Sequence, residues 1–364
     1  MKLSFNKDNL KAVSSKTTMP ILECILIDAT SNEIKLTGND MELGIETKVE
    51  GMILERGKIA LDAKLLSDII RKLSGDESLI TIESDEKFNT VITCEKSVFK
   101  IQGKDGEEFS YIPHIERDNY ICLSQFTLKE VIRQTLFSTS PNDSNKMMTG
   151  ELIEVNDNIL KVVSLDGHRM SIRKVILKDQ YHDIKVIVPG KTLGEISKIL
   201  NGDNESEVLI FFTSNHIMFE FDDTVVVSRL IEGEYFRINQ MLSSDYDTKV
   251  TVNRREFMDS IERASILIRE NDKKPIIINI TDEGMELKLN SAFGTMNAEI
   301  NITKFGKDLM IGFNPKFLVD ALRIIDDEEV TLYMMNPKSP CFIKDEEENY
   351  IYLILPVNFN AASI

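Results

Sequence analysis

Apolar positions recur along this chain in blocks, and one block is met three times. In residues 62–73 (DAKLLSDIIRKL), 189–200 (PGKTLGEISKIL) and 314–325 (NPKFLVDALRII) the apolar residues fall three and four apart, the spacing of one helical face. At roughly 100° per residue, Leu193, Ile196, Ile199 and Leu200 gather on one arc, with Lys191 and Lys198 on a stripe nearly opposite. Each block predicts an amphipathic helix with its apolar side buried and a basic line facing out: Lys64 and Arg71, Lys191 and Lys198, Lys316 and Arg323. A repeat of about 126 residues is too long for a solenoid unit and predicts three similar domains in tandem.

A second helix is predicted earlier in each repeat, over residues 5–13, 126–134 and 253–264. Hairpin-like strand pairs follow, from Ile34, Leu160 and Leu287, and β-rich segments come after the basic helix, from Ser78, Glu207 and Glu329. The order helix, strands, helix, strands is α+β, with two helices and enough strand for two small sheets per domain. Residues 107–120 and 232–247 lack periodicity and read as surface linkers, which places the domains at 1–118, 119–244 and 245–364. The second linker carries Phe236, Ile238, Met241 and Leu242, more apolar than a free spacer needs, and so predicts partial packing.

Composition agrees with three domains: in 364 residues, 42% apolar content can fill a core in each. No apolar run approaches the ~18 residues of a membrane span, and the N-terminal MKLSFNKDNL lacks an apolar signal core, so a soluble, cytoplasmic chain is expected. Cys24, Cys94, Cys122 and Cys341 have no paired spacing and imply neither a metal site nor a disulfide framework. With 43 basic against 60 acidic residues, a net charge of −17 excludes a protein that holds nucleic acid by summed attraction. Any DNA-facing surface is local. The basic stripes are such surfaces, although exposed bases on an amphipathic helix are commonest as plain solvated face.

Catalytic patterns are missing. Gly190 to Thr192 reads GKT, but a phosphate-binding loop needs glycine where the chain has Lys185. His168 stands beside Asp166 and Arg169 without a serine or cysteine nucleophile in motif context, and its Asp-Gly is first of all a turn signal. His114, His182 and His216 lack metal-ligand spacing. No enzyme activity, metal or cofactor is expected.

LDGHRM, Leu165 to Met170, resembles the turn usually written TDGHRL in the middle domain of the bacterial DNA polymerase III beta subunits, the sliding clamps. TMPIL at Thr18, GNDMEL at Gly38, VIVPGK at Val186, GFN at Gly312 and LILPV at Leu353 match the same family in order across the chain. The resemblance implies the DNA clamp fold: a head-to-tail homodimer whose six domains form a ring, helices lining a hole for duplex DNA. It also implies a pocket that takes short linear peptides from polymerase III alpha subunit, clamp loader and repair polymerases. Carried over, one part of that pocket is Leu165, Gly167, His168, Arg169, Met170, Met148, Met241, Leu353 and Leu355, and a second is Thr149, Asn314, Phe317, Pro356 and Val357. Lys16 and Lys146 join the six stripe residues as DNA-facing, and Phe99, Lys96, Lys100, Ile266 and Leu267 are the implied dimer contacts.

Three departures stand out: Leu165 where threonine is usual, Phe236 where proline is common, and a tail continuing as PVNFNAASI with Asn358 in place of arginine. They leave open whether the tail folds over the pocket or hangs free. Beside the processivity clamp, a non-enzymatic scaffold, stands one alternative: a diverged paralogue that binds peptides through tandem domains but never encircles DNA. Solution mass separates the two.

Overall fold

The computed structural model describes residues 1–6, 21–73, 79–141, 144–243, 245–269 and 274–359. The chain groups into two compact units, residues 1–129 with 195–230, and residues 130–194 with 231–364.

The first unit holds two antiparallel sheets. One runs Gly51–Glu55, Lys2–Asn6, Leu79–Ser84, Asn89–Cys94 and Ser97–Gln102. The other runs Lys104–Asp105, Lys58–Asp62, Cys24–Asp28, Ile34–Asn39, Leu43–Val49, Thr224–Arg229, His216–Phe221, Glu207–Phe212 and Tyr120–Ser124. Alternation sets the faces: Ile80 and Ile82 turn inward to join Leu3, Phe5, Ile27, Ile59 and Leu66, while Leu79 and Glu83 stay exposed. The second unit is built alike. Seven strands run Gly150–Leu165, Arg169–Pro189, Tyr350–Ile354, Cys341–Lys344, Glu329–Met334, Thr248–Asn253 and Ile302–Gly306, and four run Gly294–Ile300, Gly284–Ser291, Ile276–Thr281 and Leu309–Phe313.

Each large sheet crosses a repeat boundary. Ile45 lies opposite Val226 in one, and Met170 opposite Leu353 in the other. Hydrogen-bonded strand edges, not chain continuity, therefore hold each unit together, and the middle repeat lends strands to both.

Five α-helices are described: α1 (Ala63–Lys72), α2 (Gln125–Thr135), α3 (Gly190–Ile199), α4 (Arg254–Ser265) and α5 (Pro315–Ile324). The basic helices predicted over 62–73, 189–200 and 314–325 are α1, α3 and α5. Asp62 caps α1 by accepting from Leu65 N at 2.7 Å, and Asn314 caps α5 by accepting from Lys316 N at 3.1 Å, with Pro315 at the first helical position. α1 buries Ala63, Leu66, Ile69 and Ile70. α5 buries Leu318, Val319, Leu322 and Ile324 against the core of the third repeat.

Two expectations change. Phe5 and Asn6, read as the start of a helix, belong to Lys2–Asn6, because alternating Leu3 and Phe5 enter the core and Phe5 pairs with Ile80. The rest of that predicted helix lies outside the described residues. The first linker is not wholly surface: Phe109 and Ile115 are buried. In the second, Tyr235 and Ile238 are buried and Phe236 and Leu242 pack beside them, as its apolar content required.

Candidate functional site

An apolar row crosses the large sheet of the second unit. Leu165 faces Met170, Met170 faces Leu353, Leu353 faces Phe342, and Phe342 faces Tyr333. Residues directly opposite on neighbouring strands share a face, so five side chains from five strands form one continuous floor. Met147 and Met148 from the 3-10 turn Lys146–Thr149, with Tyr235, Phe236, Ile238 and Leu242, pack over it. Thioethers suit such a surface because unbranched, polarisable side chains adapt to different neighbours.

The LDGHRM turn closes one end of the row. Gly167 has φ 85°, a backbone that glycine adopts without strain, and a Cβ there would lie 3.8 Å from Met148 Cε. Asp166 Oδ1 accepts from His168 N at 3.0 Å and Arg169 N at 3.1 Å, which fixes the turn. The carbonyl of His168 accepts from Leu355 N at 2.8 Å, tying the chain that leaves Tyr350–Ile354 to the turn. Leu355 is 38% exposed at the rim.

Arg169 is a brace rather than an open contact. Its side chain is 9% exposed and each of its three nitrogens donates: Nε to Asp166 at 2.9 Å, Nη1 to Asp320 of α5 at 2.6 Å, and Nη2 to the Phe137 carbonyl at 2.7 Å. Its guanidinium lies 4.6 Å from the Phe317 ring and 5.2 Å from that of Phe137. His168 is exposed, its ring 6.0 Å from Phe317.

In the second predicted part, Asn314 and Phe317 belong to the start of α5, while Pro356 and Val357 follow Leu355. Val357 N donates to Gly312 O at 2.8 Å, and Phe359 folds onto Gly312, where a Cβ would lie 2.7 Å from its Cδ1. The tail up to Phe359 thus lies against Leu309–Phe313; residues 360–364 are outside the described set. Thr149 donates to Lys146 O at 2.8 Å, and Met241 is 43% exposed beside packed Leu242.

Sequence reasoning missed Asp320 and Phe137 as supports, and Phe342, Tyr333 and Tyr235 as lining. Only strand register aligns Phe342 and Tyr333 with Met170, and Tyr235 packs beside them from the segment that follows Thr224–Arg229. Asp320 carried a weak signal, a carboxylate one turn after Lys316 among apolar Val319, Ala321 and Leu322.

All six stripe residues are exposed, as is Lys146; Lys16 is outside the described residues. The second base of each stripe has an acidic partner: Arg71 with Asp68, Lys198 with Glu195 at 2.8 Å, Arg323 with Glu262 at 2.8 Å. Such surface pairs are weak, so each leaves a base that water or a phosphate can reclaim. Among the described residues, no cluster of His, Cys, Asp or Glu could hold a metal, none of the cysteines is in a disulfide, and no helix is long and apolar enough to cross a membrane.

Three family models match in order: the DNA polymerase III beta subunit N-terminal domain at residues 6–113, its central domain at 122–236 and its C-terminal domain at 239–358. The chain belongs to the DNA polymerase III beta subunit family. A beta sliding clamp of Staphylococcus epidermidis is 36% identical over 361 residues, covering 96% of this chain and 95% of that one. A DNA polymerase III beta subunit structure from Eubacterium rectale is 63% identical with a TM-score of 0.94, covering 99% of this chain and 100% of that one. The Bacillus subtilis DNA polymerase sliding clamp is 32% identical with a TM-score of 0.92 over 99% and 100%.

The implied dimer contacts of this sliding clamp are divided between the two units. In the first unit Ser97–Gln102 is an edge strand; Phe99 is half-buried against the core, and Val98, Lys96 and Lys100 are exposed. In the second unit Ile266, just past α4, is 80% exposed, while Leu267 packs half-buried on the third-repeat core. In the single chain the edge strand leaves backbone groups unpaired and Ile266 leaves apolar surface bare.

Proposed function

We propose that this clamp closes head to tail as a homodimer, a ring of six similar domains around duplex DNA, and tethers polymerase III alpha subunit, clamp loader and repair polymerases through short linear peptides. It acts in the cytoplasm and catalyses nothing itself. The observation that carries this reading is the apolar row from Leu165 to Tyr333, ended by a turn whose backbone and guanidinium are held in place. The net charge of −17 fits a ring kept on DNA by topology, because a closed ring needs little phosphate attraction and weak contacts let it slide. Lys64, Arg71, Lys191, Lys198, Lys316 and Arg323, with Lys146, supply those contacts; Phe99, Lys96, Lys100, Ile266 and Leu267 supply the junction.

A peptide with a glutamine followed by spaced leucine and phenylalanine is expected to bind at about micromolar strength, roughly −8 kcal/mol. Calorimetry should show Leu355→Ala and Met170→Ala each weakening it by about 1–2 kcal/mol, since a few buried anchors carry such interfaces. Leu355→Ala is the cleaner test, because Leu355 is at the rim whereas Met170 also fills the core. Binding heat unaffected by both changes would place the peptide elsewhere.

Replacing all six stripe bases by alanine is expected to slow loading and shorten residence on linear DNA several-fold, with retention on circular DNA falling much less. Thermal stability should barely move, since exposed bases add little to folding. Equal loss on linear and circular DNA would mean that the bases hold rather than slide. Molar mass separates this reading from the non-encircling scaffold: a stable dimer of the 41.5 kDa chain is expected, and a concentration-independent monomer would favour that alternative.

A further inference from the structure

We infer that Asp320 is a positioning residue for the peptide site, an inference that rests on reading the Leu165–Met170–Leu353 floor as that site. A planar guanidinium in a slot only 9% exposed needs its donors satisfied and its charge balanced. Asp166 serves Nε, but it lies in the same turn as Arg169 and cannot fix that turn against the rest of the unit. The tie to another element comes from α5: Asp320 Oδ2 accepts from Nη1 at 2.6 Å, and Phe317, one turn earlier on the same helix, lies 4.6 Å from the guanidinium. The Phe137 carbonyl takes Nη2 at 2.7 Å and completes the clasp.

The clasp bears on the floor and its rim through two short paths. Arg169 precedes Met170, whose side chain is in the floor, and follows His168, whose carbonyl holds Leu355 N at 2.8 Å at the rim. Removing the charge of Asp320 leaves the guanidinium without its only carboxylate outside the turn among the contacts described. The turn then relaxes, and with it both the floor and the rim that a peptide anchor meets. Asp320 touches no peptide on this account; it acts through Arg169.

The test uses the full-length protein and a synthetic peptide with a glutamine followed by spaced leucine and phenylalanine. Dissociation constants are measured at a temperature where circular dichroism shows every variant folded. Asp320→Asn, nearly isosteric and uncharged, should raise the constant about tenfold, and Asp320→Glu, which restores the charge, should recover most of that loss. Arg169→Lys, which keeps charge but loses the planar fork, should weaken binding like Asp320→Asn. A purely structural role would lower the melting temperature and leave the constant of the folded protein unmoved. Wild-type affinity in Asp320→Asn, or no recovery in Asp320→Glu, overturns the inference. Failure of the underlying reading looks different: the wild-type protein itself would not bind the peptide, or Met170→Ala and Leu355→Ala would bind it as wild type does.

Discussion

The double variant Ile266→Ala, Leu267→Ala is expected to sediment as a folded monomer at low micromolar concentration, where the unchanged chain is a dimer. Ile266 is 80% exposed in the single chain, so truncating it costs the folded protomer almost nothing, whereas a covered isoleucine contributes roughly 1–2 kcal/mol of lost transfer free energy. A head-to-tail ring has two such junctions, and removing two side chains from each takes away roughly 4–8 kcal/mol, about three to six decades of dissociation constant. Leu267 is half-buried against the third-repeat core, so its truncation also lowers protomer stability. Ile266→Ala alone therefore serves as the control that weakens the dimer without touching the fold. Ile266, Leu267 and Phe99 carry no charge, so a junction centred on them is expected to weaken little in moderate salt. Unchanged sedimentation of the double variant would remove these residues from the interface, and with them the carried-over contact to Phe99.

Glu151→Gln is expected to stabilise the second unit at pH 8 by about 1–3 kcal/mol and to make almost no difference near pH 5. Glu151 is fully buried, and burial pushes its carboxyl up to about 8 from an ordinary value of 4.5. The hydrogen-bond geometry agrees. Thr135 Oγ1 lies 2.8 Å from Val131 O and 3.1 Å from Glu151 Oε2, and a hydroxyl has one proton. When that proton goes to Val131 O, a neutral Glu151 carboxyl must donate the other bond. Oε1 has no protein partner among the described residues, which disfavours a buried carboxylate further.

The sign follows from proton counting. Between pH 4.5 and about 8 the folded protein keeps a proton that the unfolded chain has released, so stability falls as pH rises, by about 1.4 kcal/mol per unit at most. Below 4.5 the full contribution is present, and above 8 it is gone. Relaxation around an ionised group lowers the cost of its charge and so narrows this window, hence the smaller expected value. Urea unfolding from pH 5 to 8.5, wild type against Glu151→Gln, measures the difference directly. A difference that does not change with pH would mean that Glu151 is already ionised in the fold.

Much of this was open to sequence reasoning because helix periodicity is local. The arcs opposite Lys64, Lys191 and Lys316 could be counted without any partner, and α1, α3 and α5 are where the arithmetic put them. The turn at Gly167 was equally local, since Asp-Gly carries its own hydrogen-bonding chemistry. Phe5 failed for the opposite reason. A short run such as KLSFN fits a strand or the start of a helix until a neighbour such as Ile80 is known.

By itself the sequence determined the number of repeats, the helical faces with their outward bases, the LDGHRM turn and, through its ordered short motifs, the family. Tertiary structure alone decided which residues share a site. Phe342 and Tyr333 line up with Met170 only through the register of strands distant in sequence. Arg169 meets Asp320 across 151 positions of chain, and burial in the fold is what pushes the Glu151 carboxyl up. Spacing along a chain encodes what one helix or turn does with itself. Burial, register and ion pairing depend on which distant surface arrives, and that is settled only when the sheets close.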